Sequence, residues 1–181
     1  DFLPECRPAA GTVFSAFRLY RFSYSPEIYF MEKAKEIIEV LNDLVMIHND
    51  RIAGYESAGK ELKGDDQDLR SLFDHLIIES QQIKSDLVQE IQVLHGDVES
   101  GTSELGKIYR GWAGLKAAFT GDNRHTILSN CEAMEDATRK AYEKALETEK
   151  LPSFLREMLA NQQDTLKISH DEIRDLRNQF A

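Results

Sequence analysis

Residues 31–62 of the chain, MEKAKEIIEVLNDLVMIHNDRIAGYESAGKEL, decide its fold class. The residues of one face recur there at intervals of three or four, namely Leu41, Leu44, His48, Ile52 and Tyr55. That interval is the period of an amphipathic α-helix. The stretch therefore predicts one long helix from about Met31 to Leu62, with these side chains turned toward a core.

Three further segments repeat the pattern, over residues 67–95, 122–149 and 152 to nearly the C-terminus. Gly96 suits a helix end, and Asp122 suits a helix N-cap. No proline lies between Pro26 and Pro152, so nothing in that span forces a helix to break. The sequence predicts an all-α protein built as a four-helix bundle.

The connection between the second and third predicted helices is long and rich in glycine, and it carries a short helical pattern of its own. Neighbouring helices of a bundle need only about 2 to 8 residues between them, whereas a crossover must travel the full height of the bundle. The length favours a ferritin-like bundle whose long connection holds a short extra helix. A simple bundle capped at one end by a fifth helix is the alternative.

The composition excludes several classes of protein. The chain has 181 residues and a net charge of -10, which disfavours binding to nucleic acid and to anionic membranes. No apolar run reaches the roughly 20 residues that cross a bilayer. Only two cysteines occur, and Cys131 lies on a helical apolar stripe, which is typical of a reduced thiol in the cytoplasm.

The first thirty residues differ from the rest, because they hold most of the Phe and Tyr residues and three of the four prolines. We interpret residues 1–30 as an N-terminal extension, either disordered or not native to a protein that starts at Met31, and residues 31–181 as the bundle. A targeting segment and an arm packed on the bundle or on a neighbouring subunit are alternatives.

Polar residues interrupt all four apolar stripes near their midpoints. They are His48, Glu79 with Gln82, Glu135, and the stretch from Gln162 to His170. A buried carboxylate or imidazole is costly without a partner. The layer is therefore a metal site, the remnant of one, or a buried hydrogen-bond network.

A two-metal bundle site takes one Glu from each of two helices and a Glu-x-x-His pair from each of the other two. Here Gln82 follows Glu79 where a histidine is needed, and Lys167 precedes His170 where a glutamate is needed. At most a mononuclear iron or manganese site remains. Its candidate ligands are Asp50, Glu79, Glu135 and His170.

Two of these candidates, and His48, also have a structural interpretation. Glu135 fits the solvated edge of its helix, and His170, beside two acids, fits the surface. His48 fits a core imidazole that is hydrogen-bonded to Ser80 or Gln162. The sequence contains no nucleophile elbow, phosphate-binding glycine loop or Cys-x-x-Cys pair.

Several short motifs resemble a bacterial family of ferritin-like four-helix bundles that is classed as a domain of unknown function. The resemblance covers about residues 32–176 and rests on Asn42-Asp43-Leu44, the run from Asn49 to Tyr55, Glu79-Ser80, Arg110-Gly111-Trp112 with Lys116, Cys131-Glu132, Glu135-Asp136 and Tyr142. It implies a ferritin-like bundle in a soluble, bacterial setting, and it implies no activity or catalytic residue.

We therefore expect a non-enzymatic, cytoplasmic protein without a cofactor, which acts through self-association or a protein partner, for example in a stress response. One alternative is an oxidative protein that binds iron or manganese at a degenerate ferritin-like site. The other is an adaptor that binds an amphipathic partner helix.

Overall fold

A computed structural model describes residues 26–98, 108 and 123–180, with side chains from residue 31 onward. The described residues form four long helices: α1 (Pro26–Glu61), α2 (Gln67–Val93), α3 (Arg124–Leu146) and α4 (Ser153–Gln179). None of these helices combines the length and the apolar character needed to cross a membrane. The predicted four-helix bundle is confirmed.

The ends of the helices differ from the predicted ends by a few residues. Helix α1 begins at Pro26, not at Met31, so the expected boundary after residue 30 lies inside this helix. Proline suits the first turn of a helix because its missing N–H needs no partner there. The N-cap of α3 is Asn123, not Asp122; its side chain accepts a hydrogen bond from the backbone N–H of Thr126 at 2.9 Å.

The end of α2 explains the glycine at position 96. His95 adopts a left-handed conformation (φ 58°), and the N–H of Gly96 donates to the carbonyl of Ile91 at 2.9 Å. This pairing closes the last turn of the helix. A Cβ at Gly96 would lie 2.8 Å from the side chain of Ile38, so the glycine also permits the close approach of α1.

The directions of the helices require a crossover. Helix α1 runs antiparallel to α2, since Asn49 contacts Lys84 while Tyr55 packs on Phe73. It also runs antiparallel to α3, because His48 meets Tyr142 and Tyr55 meets Glu135 farther along α1. Helices α2 and α3 are therefore parallel, and the connection from residue 94 to residue 123 joins opposite ends of the bundle.

Contacts at both ends of the bundle agree with this topology. The α2 end is tied to α1 where the Asn42 side chain donates to the carbonyl of Asp97 at 3.0 Å. At the opposite end, Arg124 of α3 forms a 3.0 Å ion pair with Asp66, which precedes α2. The crossover matches the expected ferritin-like connectivity. The predicted short extra helix and Trp112 lie outside the described residues, apart from Ile108, whose N–H donates to Asp43 at 3.0 Å.

Candidate functional site

An arginine lies at the centre of the bundle, in the middle of the predicted polar layer. Arg51 of α1 has no exposed surface, although it is among the largest buried side chains. Its Nε donates to Oε1 of Glu135 on α3 at 2.8 Å, and its Nη1 lies 2.9 Å from Oε1 of Glu79 on α2. One guanidinium therefore links three helices through two carboxylates.

Further polar contacts surround this ion-pair network, which we call the Arg51 cluster and define as Arg51, Glu79, Glu135, Tyr55 and Ser80. The hydroxyl of Tyr55 donates to Oε1 of Glu135, and Nη1 of Arg51 donates to the hydroxyl of Ser80 at 2.6 Å. Hydrogen bonds that involve charged groups are stronger than those between neutral groups. The cluster thus satisfies most of its own buried polar atoms.

The sequence pattern of α1 explains why an arginine is buried at this place. Leu44, His48, Arg51 and Tyr55 follow one another at intervals of four, three and four, and all four are buried. The predicted inward residue, Ile52, is only partly buried. A charged side chain is unexpected in a core, but position 51 continues the periodic stripe, whose next buried members are Tyr55 and Ala58.

Opposing forces act on the charge of Arg51. Burial alone lowers the pKa of this guanidinium, but the carboxylate of Glu135, with Tyr55 and Glu79, outweighs burial and raises the pKa above its ordinary value. Burial, followed by the charge of Glu135, raises the pKa of Tyr55 well above its ordinary value, against the opposing effect of Arg51. The cluster therefore holds a permanent cation and a neutral phenol.

Glu79 connects the cluster to the fourth helix. Its two carboxylate oxygens accept from the hydroxyl of Ser169 on α4 at 3.0 and 2.9 Å, while its side chain keeps 14% of its surface exposed. Glu135 has no exposed surface. The interpretation of Glu135 as a residue of the solvated edge is therefore wrong, because its carboxylate neutralises a buried arginine.

A second network lies one helical turn away on α1. His48 Nε2 is 2.9 Å from the hydroxyl of Tyr142, which in turn donates to Oε1 of Gln162 at 3.1 Å. Because the phenol proton points to Gln162, the imidazole must donate from Nε2. The prediction of a core imidazole is confirmed, although Tyr142 stands between His48 and the expected partner Gln162.

The pKa of His48 lies well below its ordinary value of 6.5, first because of burial and then because of the charges of Arg51 and Lys84. The unfolded imidazole takes up a proton below pH 6.5, whereas the folded one does not. The free energy of unfolding should therefore reach its full value only well above pH 6.5, and it should fall by about 1 kcal/mol on going from pH 6.5 to 5.5. Urea unfolding followed by circular dichroism at both pH values measures it.

Other groups also titrate in this range, so the prediction concerns the difference between variants. His48→Gln should lose about 1 kcal/mol less than the wild type over this pH interval, because it lacks the titrating group. The matched control is His125→Gln, which alters an exposed histidine and should keep the wild-type pH dependence. Equal pH dependence in wild type and His48→Gln would contradict a neutral, buried His48.

The structure brings together only two of the four predicted metal ligands. Glu79 and Glu135 share Arg51, whereas His170 faces Asp136 and Asp171 at 2.9 and 3.2 Å. Asp50 is partly buried. Within residues 26–98, 108 and 123–180, no three His, Cys, Asp or Glu side chains are grouped so that they could hold a metal ion.

His170 is buried, with 6% of its surface exposed, so its interpretation as a surface residue is wrong. Its contact with Asp136 links α4 to α3 and explains the burial. His75, His95 and His125 are exposed.

Four buried polar atoms of these two networks have no hydrogen-bond partner within the described part of the chain. They are Nη2 of Arg51, Oε2 of Glu135, Nδ1 of His48 and Nε2 of Gln162. The first two belong to the same ion pair. In a guanidinium, the N–H groups of Nε and Nη2 lie on one edge, which is the edge that Glu135 approaches through Oε1 alone. The pair is thus one bond short of a bidentate arrangement.

Two solved structures share the architecture of the chain. A mutant of Dps1 from Mycobacterium smegmatis superposes with a TM-score of 0.65 at 14% identity, over 80% of this chain and 96% of that one. A ferritin-like, diiron-carboxylate protein from Bacillus anthracis strain Ames superposes with a TM-score of 0.60 at 19% identity, over 82% and 98% of the two chains. At these identities the similarity shows the ferritin-like fold alone.

A comparison with curated proteins finds no match. The family model described as a domain of unknown function, DUF2383, matches residues 36–148, which include Arg51, Glu79 and Glu135. The match spans more than half of the chain, and the protein therefore belongs to the DUF2383 family of ferritin-like bundles.

Proposed function

We propose that this protein is a non-enzymatic ferritin-like bundle that acts by binding protein, either a second copy of itself or a partner, and that Arg51 takes the place of a metal cation in its core. The observation that carries the proposal is the guanidinium between Glu79 and Glu135. A reducing, cytoplasmic setting is part of the proposal, since the buried thiol of Cys131 is free.

The residues present do not fit a diiron-carboxylate site, the kind of site after which the Bacillus anthracis protein is described. Metal ligands must offer lone pairs, whereas Arg51 offers only N–H donors to the space between the carboxylates. An extra cation there would meet a positive charge at hydrogen-bond distance from both glutamates. The geometry thus supports a core closed by an ion pair.

Two exposed isoleucines on the outer surface of the bundle support the binding of protein. Ile78 and Ile168 expose 62% and 71% of their surface. They precede Glu79 and Ser169, which are hydrogen-bonded to each other, so both isoleucines lie at one level of the neighbouring helices α2 and α4. These two isoleucines form the surface that we assign to contact with a protein.

Measurements on the full-length protein, purified without chelator, test both the metal-free core and the binding to protein. We expect substoichiometric iron, manganese and zinc, no oxygen consumption with ferrous iron, and a melting temperature that neither chelator nor added metal changes. Light scattering should give a multiple of 20.7 kDa, and Ile78→Asp with Ile168→Asp should shift it toward the monomer. An exposed-site control is Glu149→Gln, which should leave the mass unchanged.

Two results would contradict the proposal. Stoichiometric metal that is lost in Glu79→Ala would favour the oxidative alternative, with Asp50, Glu79, Glu135 and His170 as ligands. A strict monomer that no protein partner converts into a complex would remove both self-association and the binding of a protein partner.

A further inference from the structure

The Arg51 cluster presents acceptors in the arrangement that a planar cation requires. Oε1 of Glu135 lies 2.8 Å from Nε, and Oε1 of Glu79 and the hydroxyl of Ser80 lie 2.9 and 2.6 Å from Nη1. The carbonyl of Leu76 lies 3.5 Å from the same Nη1. These acceptors come from α2 and α3, while Arg51 comes from α1, so the receiving part of the site is separate from the helix that supplies the cation.

Two more features fit a guanidinium better than a spherical ion. The Tyr55 ring lies with its centroid 5.4 Å from the central carbon of the guanidinium, within the range of a cation–π contact. In addition, Oε2 of Glu135 and Nη2 of Arg51 are both buried, and neither has a hydrogen-bond partner among the described residues. A guanidinium that is not tied to the α1 backbone can rotate to form this missing bond.

We infer that α2 and α3 form a binding site for a planar guanidinium-type monocation, which Arg51 fills from within the chain. This inference rests on the proposed function, since it takes Arg51 as the resident cation of the core. The chemical class of the ligand is an alkylguanidinium, and the site opens only when the side chain of Arg51 is absent.

The variant Arg51→Ala tests the inference with a ligand of matched shape. Alanine keeps Cβ, so the atoms removed are Cγ, Cδ and the guanidino group, which together correspond to N-ethylguanidinium. The uncharged control of similar shape is N-ethylurea. Each is titrated at millimolar concentration into Arg51→Ala and into the wild type, and the melting temperature is followed by circular dichroism.

We expect N-ethylguanidinium to raise the melting temperature of Arg51→Ala saturably, by about 3 °C or more relative to its effect on the wild type. N-ethylurea should give no saturable rise. If the variant does not fold alone, its helicity should be recovered on refolding with N-ethylguanidinium and not with N-ethylurea.

Equal responses to the charged and uncharged compounds, or no recovery of helicity, would overturn the inference. A larger rise with Mn²⁺ than with N-ethylguanidinium would also overturn it, because the acceptors would then prefer a spherical divalent ion. These outcomes are distinct from a failure of the proposed function, which would appear as stoichiometric metal or a partnerless monomer in the wild type.

Discussion

Arg51→Ala should lower the free energy of unfolding by about 3–5 kcal/mol, because it leaves Glu135 as a buried carboxylate without its cation. The acceptors of Ser80 and Glu79 lose their shared donor as well. A domain of this kind is stable by only about 5–15 kcal/mol, so the loss is a large fraction of the whole. Urea unfolding at pH 7, followed by helical circular dichroism, measures it. Guanidinium chloride is unsuitable, since its cation is the group removed.

A matched control separates burial from the mere loss of an ion pair. Arg174 pairs with Asp171 at 2.7 Å and with Asp175 at 3.1 Å, but 40% of its side chain is exposed. Surface ion pairs contribute about 0–1 kcal/mol, so Arg174→Ala should change the free energy of unfolding by less than about 1 kcal/mol. Similar losses in the two variants would show that the Arg51 cluster does not hold the bundle together.

Arg51→Lys adds a second comparison at the same position. A lysine keeps the charge but presents a single ammonium, which cannot donate from two separate nitrogens to Glu135 and to Glu79. We therefore expect a loss intermediate between the wild type and Arg51→Ala. The stability difference between Arg51→Lys and the wild type then reports the contribution of the planar guanidinium geometry, since the charge is the same in both proteins.

The polar layer can be predicted from the sequence because the helical period reveals which residues share a face. The period puts His48, Glu79, Glu135 and Gln162 near the helix midpoints, and the structure places them at one central region of the bundle. The length of one connection favours the crossover over a simple bundle capped by a fifth helix. Both predictions use spacing along the chain, which needs no knowledge of neighbouring helices.

The helical period alone does not identify Arg51 as the cation at the centre of the bundle. Both Arg51 and Ile52 fit between His48 and Tyr55 at intervals of three and four, and hydropathy favours the isoleucine. Strict alternation from Leu44 through Ala58 to Leu62 selects position 51, so the sequence does contain a signal, but a weak one. The carboxylate of Glu135, which is 84 residues away, offsets the free-energy cost of burying the arginine. A single sequence does not show that pairing.

The burial of Glu135, the partner of Arg51, cannot be predicted from the sequence for a related reason. Glu135 and His170 each have an obvious solvated alternative when their own helix is considered alone. Their burial follows from contacts between helices, Glu135 with Arg51 and His170 with Asp136. Local pattern predicts a face, whereas the energy of a buried charge depends on a partner elsewhere in the chain.

Removing both charges should therefore cost less than removing one. In a Tyr55→Phe background, Glu135→Leu and Arg51→Met should each lower the free energy of unfolding by about 3–5 kcal/mol, since each leaves a buried ion without its main partner. Tyr55→Phe is needed because the hydroxyl of Tyr55 otherwise loses its acceptor on Glu135. The combined variant replaces the pair by apolar side chains of similar volume, which is often neutral in protein cores.

We expect the combined variant to be more stable than either single variant, with a coupling of at least about 2 kcal/mol between positions 51 and 135. Glu79 should tolerate the change, because its exposed fraction of 14% and its bonds to Ser169 keep it solvated and paired. Urea unfolding of the four proteins in the Tyr55→Phe background gives the coupling directly. Additive losses would mean that Arg51 and Glu135 stabilise the bundle independently, and the guanidinium would then not act as the cation of a shared core site.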